Sequence, residues 1–281
     1  MGNPDKPALR AVIKQAVGLI ERSRRTVHSE AVTAHFAGLT CPASPDAAAL
    51  ARKVDLLIVF GGDGTLLRVA REIAGSATPI IGINIGRLGF LTAASAKNLS
   101  RALKQVWNGG FTIESRALIE ARGRAAGAEF CYRALNDFFV SRGSTPRLVD
   151  LEVRVDGQPL TRYRGDGLIV SSPTGSTAYS LAAGGPIIAP NAEAFVLTPI
   201  CPHALSNRSL ILNFNSTIQI KVVSPRPAPV LNGDGQVLNE LAEGDEFTVR
   251  RSRHGVRLVH LTGTTFFDTL RAKLYWRGAA I

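Results

Sequence analysis

The five residues Leu56-Leu57-Ile58-Val59-Phe60 are all apolar, follow Asp55 and run directly into Gly61-Gly62-Asp63-Gly64. A run this short, with no polar member, suits a strand covered on both faces, as in a parallel sheet. Parallel strands cannot be joined by hairpins and require crossovers, usually helices. The flanking sequence supplies them. Apolar residues recur at helical spacing over 8–23 (Leu9, Val12, Ile13, Ala16, Val17, Ile20), over Thr65–Ala74 and over Ala96–Trp107. A second apolar run, Pro79-Ile80-Ile81-Gly82-Ile83, lies between the last two of these helices. Strands alternating with helices predict an α/β sheet up to about residue 110.

The texture changes after Gly109-Gly110. Segments 111–121, 129–141, 149–155, 167–172, 210–213, 217–223, 246–250 and 256–261 are short and rich in Val, Ile, Leu, Phe or Thr. Asp156-Gly157, Asn232-Gly233 and His254-Gly255 read as turns between them. One helical interruption is expected near 176–183, and Phe266–Trp276 reads as a closing helix. The expected organisation is an α/β domain over 1–110, completed by the helix at about 265–281, and an all-β domain over 111–264.

Composition excludes several classes. Of 281 residues, 45% are hydrophobic and 20% charged, which is globular rather than disordered. No stretch approaches the roughly 18 apolar residues of a membrane span, and Met1–Arg10 does not have the form of a signal peptide. Cys41, Cys131 and Cys201 are scattered, which indicates neither a disulfide framework nor a zinc site. A cytoplasmic protein is expected. The net charge is +11, with 14 basic and 7 acidic residues through Phe111 and 19 and 15 thereafter. That excess is spread along the chain, not striped as in nucleic-acid binders. It reads as solvated surface or as a field favouring a polyanionic small substrate.

Four segments carry chemistry. At Phe60-Gly61-Gly62-Asp63-Gly64-Thr65 a buried strand meets a helix start, where glycines permit close approach and free N–H groups attract phosphate. Asp63 either caps the helix or does chemistry, and Thr65 is a candidate cap. The turn lacks the Gly-Lys-Ser/Thr of a P-loop and is not a G-x-G-x-x-G fingerprint. A second glycine turn, 82–90, also ends a buried strand. The segment from Tyr163 to Ser180 is dense in small hydroxyl residues suited to ribose and phosphate contacts. Its Tyr179 offers a stacking face, or simply belongs to a Ser-capped helix start. Asn136-Asp137 sits among apolar neighbours, as an edge position, a buried bonded pair or a clamp for vicinal hydroxyls.

Together these segments resemble the bacterial NAD kinases over almost the whole chain. The resemblance runs through Asn3-Pro4-Asp5-Lys6, Gly61–Thr65, Leu135-Asn136-Asp137, Asp166–Ser180, Thr198-Pro199-Ile200-Cys201-Pro202-His203 and Asp234-Gly235-Gln236. The glycine turn alone is shared with diacylglycerol kinases and phosphofructokinase relatives; the Ser-Pro-Thr-Gly-Ser-Thr-Ala-Tyr and Thr-Pro-Ile-Cys-Pro-His stretches are more specific. The resemblance implies a Rossmann-like α/β domain plus an all-β domain, in the two-domain NAD kinase/diacylglycerol kinase-like fold. It implies transfer of the γ-phosphoryl of ATP, with a divalent ion such as Mg²⁺, to the adenosine 2′-hydroxyl of NAD, giving NADP. On that basis Asp63 is the general base, with Gly64 and Arg68 beside the dinucleotide. Asn136 and Asp137 grip the adenosine ribose and base, and Arg147 and Arg164 meet phosphates. Asp166, Thr177, Ala178, Tyr179, Ser180, Leu181, Ala182 and Gln236 surround the bases. A homo-oligomer, dimer or tetramer, built through the β domain is implied as well, with no nucleic-acid or membrane partner.

Two departures from the family pattern bear on structure. Only Met1-Gly2 precede Asn3, where the family has an apolar first strand; five to six apolar residues upstream of Met1 are therefore expected, beside 56–60. The second clamp position is Asp137, where glutamate is frequent, and aspartate reaches less far. Two other functions compete: a lipid or sugar kinase sharing the glycine turn, and a nucleic-acid binder explained by charge alone.

Overall fold

A computed structural model describes residues 1–2, 6–86, 89–143, 147–204, 206–223 and 228–276. The chain forms two compact units, Met1–Ser115 with Gly255–Ile281, and Arg116–His254. The first holds α1 (Leu9–Arg22), β1 (Ser29–Glu30), α2 (Ala31–Ala37), β2 (Ala43–Ser44), α3 (Ala47–Ala51), β3 (Leu57–Phe60) and α4 (Asp63–Glu72). It continues with β4 (Ile80–Asn84), β5 (Ala94–Ser95) and α5 (Leu99–Trp107). Strands β3 and β4 pair in parallel from Leu57↔Ile80 to Phe60↔Ile83, and β5 is parallel to β4. Every residue of β4 is buried. Leu9, Ile13, Phe60, Ile81, Ile83, Leu99 and Leu103 form its core, so the sheet is covered as its unbroken apolar runs require.

The expected helices at 8–23, Thr65–Ala74 and Ala96–Trp107 are found as α1, α4 and α5, the last preceded by a 3₁₀ turn over Ala96–Asn98. Thr65 does not cap α4: Gly62 holds that position and Thr65 lies inside the first turn. Helices α2 and α3 are alanine-rich and short, with too few turns to show a periodicity. Beside β3, Gly2 bridges Phe60 in the parallel sense, Phe60 N–H donates to Met1 O (2.8 Å) and Met1 N to Ile58 O (2.9 Å). A cavity of about 770 Å³, walled by Ile13, Ala16, Val27, Leu56, Ile58 and Trp107, adjoins Met1. Asn3, Pro4 and Asp5 of the expected Asn-Pro turn lie outside the described residues.

The second unit is built from β6 (Phe111–Ala125) from Arg116 onward, β7 (Ala128–Ala134), β8 (Asp137–Ser141), β9 (Val149–Val155), β10 (Gln158–Gly165) and β11 (Gly167–Ser171). A 3₁₀ turn (Thr174–Thr177) and α6 (Tyr179–Ala182) follow, then β12 (Ala194–Ile200), β13 (Leu210–Asn213), β14 (Ile218–Val222), β15 (Val230–Gly233), β16 (Gln236–Glu240) and β17 (Glu246–Leu261) as far as His254, its remaining residues belonging to the first unit. One antiparallel sheet has the order β13-β12-β11-β8-β15-β16. In the other, β10, β9, β14 and the first residues of β17 pair antiparallel in succession. Phe138, Val140, Leu168, Val170, Phe195 and Leu197 from one meet Leu151, Val153, Ile218, Ile220 and Phe247 from the other in one core. Helix α7 (Phe266–Leu274) belongs to the first unit and carries a Thr265–Asp268 capping box.

Several turns differ from their sequence reading. Asp156-Gly157 is a turn, with φ of 51° and 78°. Asn232-Gly233 is not: both residues end β15, and the turn is Asp234-Gly235 at φ 48° and 75°. His254-Gly255 lies inside β17, so 246–250 and 256–261 are one strand. Segment 129–141 is two strands, β7 and β8, broken at Leu135-Asn136. Asn136-Asp137 is therefore not mid-strand. It forms the bend and the first residue of β8.

Candidate active site

In the first unit, β3 delivers the chain to the amino end of α4, and Asp63 is that helix's first residue. Its carboxylate accepts two backbone N–H groups from the second glycine turn: Phe90 N–H to Oδ2 (2.8 Å) and Leu91 N–H to Oδ1 (3.2 Å). The second turn is tied in its own right. Gly86 N–H donates to Asn84 Oδ1 (2.8 Å) and Gly89 N–H to Thr92 Oγ1 (3.0 Å). A Cβ at Gly89 would overlap the Asp63 carboxylate, so only glycine lets the two turns meet. Arg87 and Leu88 of this turn lie outside the described residues. Thus Asp63 is not a cap satisfying its own helix; it is a carboxylate fixed by a neighbouring loop.

Gly64 is exposed, and a Cβ there would meet nothing within 4 Å. Neither its conformation nor its packing demands glycine. Arg68, one turn further, sits 2.8 Å from Glu72 Oε1 and 3.6 Å from Glu30 Oε1 through Nη1. Glu30 is buried and also accepts the Thr33 hydroxyl (3.2 Å). Arg68 is thus aimed by two carboxylates, of which Glu30 was not singled out in the sequence because it lies on another element.

In the second unit, one end of the six-stranded sheet gathers the start of β8, the end of β11 and the β15–β16 turn. Ser171 pairs with Asp137 and Gly233 with Phe138 in the ladders. Ser172 N–H donates to Asn136 O (2.8 Å), and the Ser172 hydroxyl to Leu135 O (2.6 Å). A Cβ at Gly175 would overlap Asn136 O, so the 171–175 segment clasps the bend closely. Arg116, buried, anchors that segment by donating to Thr174 Oγ1 (3.2 Å). From the opposite side Asp234 accepts the N–H groups of Leu135 (3.0 Å) and Asn136 (2.8 Å). Asp137 is only 3% exposed, and burial, followed by the negative charge of Asp234, pushes its carboxyl up to about 7.

The remaining expected residues of this unit are spread over several elements. Thr177, Ala178, Tyr179, Ser180, Leu181 and Ala182 follow directly from the clasp. Thr177 donates to Thr174 O (3.2 Å), and the buried Ser180 hydroxyl bonds that of Thr198 (2.9 Å). Tyr179 is 39% exposed, and its ring stands edge-on to Phe139 at 4.9 Å. Burial, with the charges of Cys201, Asp166 and Asp137, raises its phenol. Gln236 is exposed at the start of β16, opposite Gly233. Asp166, by contrast, lies at the far end of β11 from Ser171, paired with Arg142 (2.8 Å). Arg164 on β10 and Arg147 before β9 are exposed.

Residues 26–111 match the family model of the ATP-NAD kinase N-terminal domain, and residues 135–261 that of the C-terminal domain. An NAD kinase of Polaromonas sp. is 44% identical over 87% of this chain and 84% of its own. One of Acidobacterium capsulatum is 46% identical over 79% and 78%. Among solved structures, yeast NADH kinase complexed with NADH superposes with a TM-score of 0.88 at 29% identity, covering all of this chain and 87% of that one. An NAD kinase from Archaeoglobus fulgidus in complex with ATP gives 0.74 at 26% identity, over 95% of each chain. The lipid or sugar kinase alternative is not supported, since the match extends through the β-rich unit and not only the glycine turn. The chain belongs to the ATP-NAD kinase family.

Proposed function

We infer that this chain is an NAD kinase, a phosphotransferase that uses ATP to phosphorylate the 2′-hydroxyl of the adenosine ribose of NAD. The observation that carries the reading is the pairing of a loop-fixed carboxylate, Asp63, at a glycine turn with family matches across both units.

The roles of individual residues are part of the same proposal. Phosphoryl transfer asks an enzyme for positioning and charge neutralisation more than for covalent chemistry. Asp63, with each oxygen anchored by an amide, keeps one direction and retains lone pairs for an acceptor hydroxyl. In this reading it orients the 2′-hydroxyl and takes its proton as the oxygen bonds phosphorus and ADP leaves. Gly64 supports close passage of the dinucleotide, because its missing side chain serves no neighbour within the chain. Arg68, held by Glu30 and Glu72, supplies positive charge beside it. Asn136 and Asp137 hold the ribose: a buried carboxyl near neutrality in proton affinity can both donate and accept toward vicinal hydroxyls. Tyr179 offers an exposed ring to a base, with Thr177, Ala178, Ser180, Leu181, Ala182 and Gln236 around it. Arg147, Arg164 and Asp166 complete the binding set.

A divalent ion fits as one held largely by the nucleotide. No three His, Cys, Asp or Glu side chains converge among the described residues, and magnesium is commonly held by one or two carboxylates plus substrate phosphates. When bound, it neutralises charge on the transferring phosphates. Strands β13 and β16 are sheet edges with Ile211 and Val237 exposed, which supports self-association through this unit. Three free cysteines fit a reducing, cytoplasmic setting. No helix among the described residues is long and apolar enough to cross a membrane. A coupled assay of NADP formation, with ATP and Mg²⁺ supplied and each omitted in turn, tests the reading; no product with all components present, from folded protein, overturns it.

A further inference from the structure

Asp234 has a double tie to the bend that presents Asn136 and Asp137. Its Oδ2 accepts Leu135 N–H (3.0 Å), and its Oδ1 accepts Asn136 N–H (2.8 Å) and, more weakly, Asp137 N–H (3.4 Å). Its own N–H returns a bond to Asp137 O (3.0 Å). These links join segments 97 to 99 positions apart. At φ 48°, followed by Gly235 at 75°, Asp234 is the first residue of a two-residue hairpin turn, where Asn-Gly serves as well as Asp-Gly. The turn therefore does not explain a carboxylate. The donors do: three backbone N–H groups reach its two side-chain oxygens, and an asparagine amide offers only one acceptor atom. A second carboxylate beside a buried Asp137 also costs stability, a pattern concentrated at functional sites.

We propose that Asp234 is the positioning residue of the Asn136–Asp137 site, its carboxylate fixing the backbone at 135–137 and its charge acting on the Asp137 carboxyl. The proposal rests on the reading of Asn136 and Asp137 as the ribose-binding pair. The titratable groups acting around Asp137 are Asp234 from the β15–β16 turn and the Tyr179 phenol from α6; β11 faces it with Ser171 and β15 with Gly233 beside the next residue.

The test uses the full chain with Asp234→Asn, which keeps the turn and removes one acceptor and the charge, alongside Asn136→Ala. Asp234→Asn should raise the NAD KM about tenfold with kcat changed by less than about threefold. It should also move the Asp137 titration, followed by carboxyl-labelled NMR, toward acid. An unchanged KM and an unmoved titration, with only Tm lowered, overturn the proposal. If Asn136→Ala leaves KM untouched, the ribose-binding reading fails, and the proposal with it. If Asn136→Ala raises KM while Asp234→Asn does not, the role of Asp234 alone fails. Should Asp234→Asn not fold, Asp234→Glu keeps charge and acceptors but displaces them by a methylene; a raised KM supports positioning and a wild-type KM overturns it.

Discussion

Asp63 and Asp137 are both aspartates at the entry to a regular element, and the protein treats them in opposite ways. Around Asp63, loop amides bind the side chain itself, so its direction is set by Phe90 and Leu91. Around Asp137, the amides of the bend are bound by a different carboxylate, Asp234, and the Asp137 side chain stays buried with a proton affinity near neutrality. The first arrangement suits a group that must point at a reacting atom. The second suits a group that must donate as well as accept. Backbone donors are a limited local resource, and which carboxylate receives them decides what each can do.

The sharpest way to break this contrast is Asp63→Asn. Turnover should fall by about 10²–10⁴-fold while NAD binding persists, as read by steady-state rates and a thermal shift with NAD. Unchanged turnover in folded protein would reduce Asp63 to a structural residue. Gly89→Ala attacks the same group without touching it. The added methyl must displace the Asp63 carboxylate or the loop, and kcat should drop about 10²-fold, with a lowered Tm from the disturbed amide–carboxylate bonds but folded protein retained. A wild-type rate would mean that the direction of Asp63 is not set by this loop.

The other side of the contrast predicts a pH effect of defined sign. The Asp137 carboxyl titrates at about 7 in the folded protein against 3.8 in the reference state. The folded chain therefore keeps a proton that the unfolded chain releases, and this contribution to stability is full below about pH 4 and lost as pH rises to about 7. Asp137→Asn removes the dependence, so its Tm relative to wild type should be higher at pH 8 than at pH 4. A constant difference across that range would contradict a buried, protonated Asp137. The smallest effect is expected at Gly64. Alanine there should stabilise α4 by up to about 1 kcal/mol yet raise the NAD KM, moving Tm and KM upward together. A raised Tm with KM unchanged would show that nothing passes close to that position.

Residues that announce themselves locally were legible in the sequence. Leu57–Phe60, Val149–Val155 and Leu210–Asn213 are strands where unbroken or alternating apolar patterns leave few alternatives. Strand β10 is hidden because most of its residues are exposed and one is proline, and β12 because Pro199 interrupts it. Asp63, Asn136 and Asp137 stand out as polar residues against apolar runs. Asp234 does not, because its partners are amides nearly a hundred positions away and Asp-Gly is an ordinary turn pair. Glu30 does not stand out for the same reason, and the turn that holds Gly89 is legible while its approach to Asp63 is not: each acts on a residue of another element, and no local pattern encodes such a contact.

Strand β17 has a consequence for synthesis of the chain. Leu258 enters the parallel sheet beside Ile80, and Arg257 Nη1 donates to Ala77 O (3.2 Å), a partner made 180 positions earlier. On the ribosome the first unit therefore emerges early but cannot finish its sheet until Gly255–Leu261 is made. The second unit, contiguous over Arg116–His254, is complete before that return. Contacts so distant in sequence form slowly, and a waiting sheet edge is open to wrong partners. The nascent chain should thus be most protease-sensitive and most in need of chaperones in the interval before Gly255–Leu261 leaves the exit tunnel, although its amino-terminal half has long been available to fold.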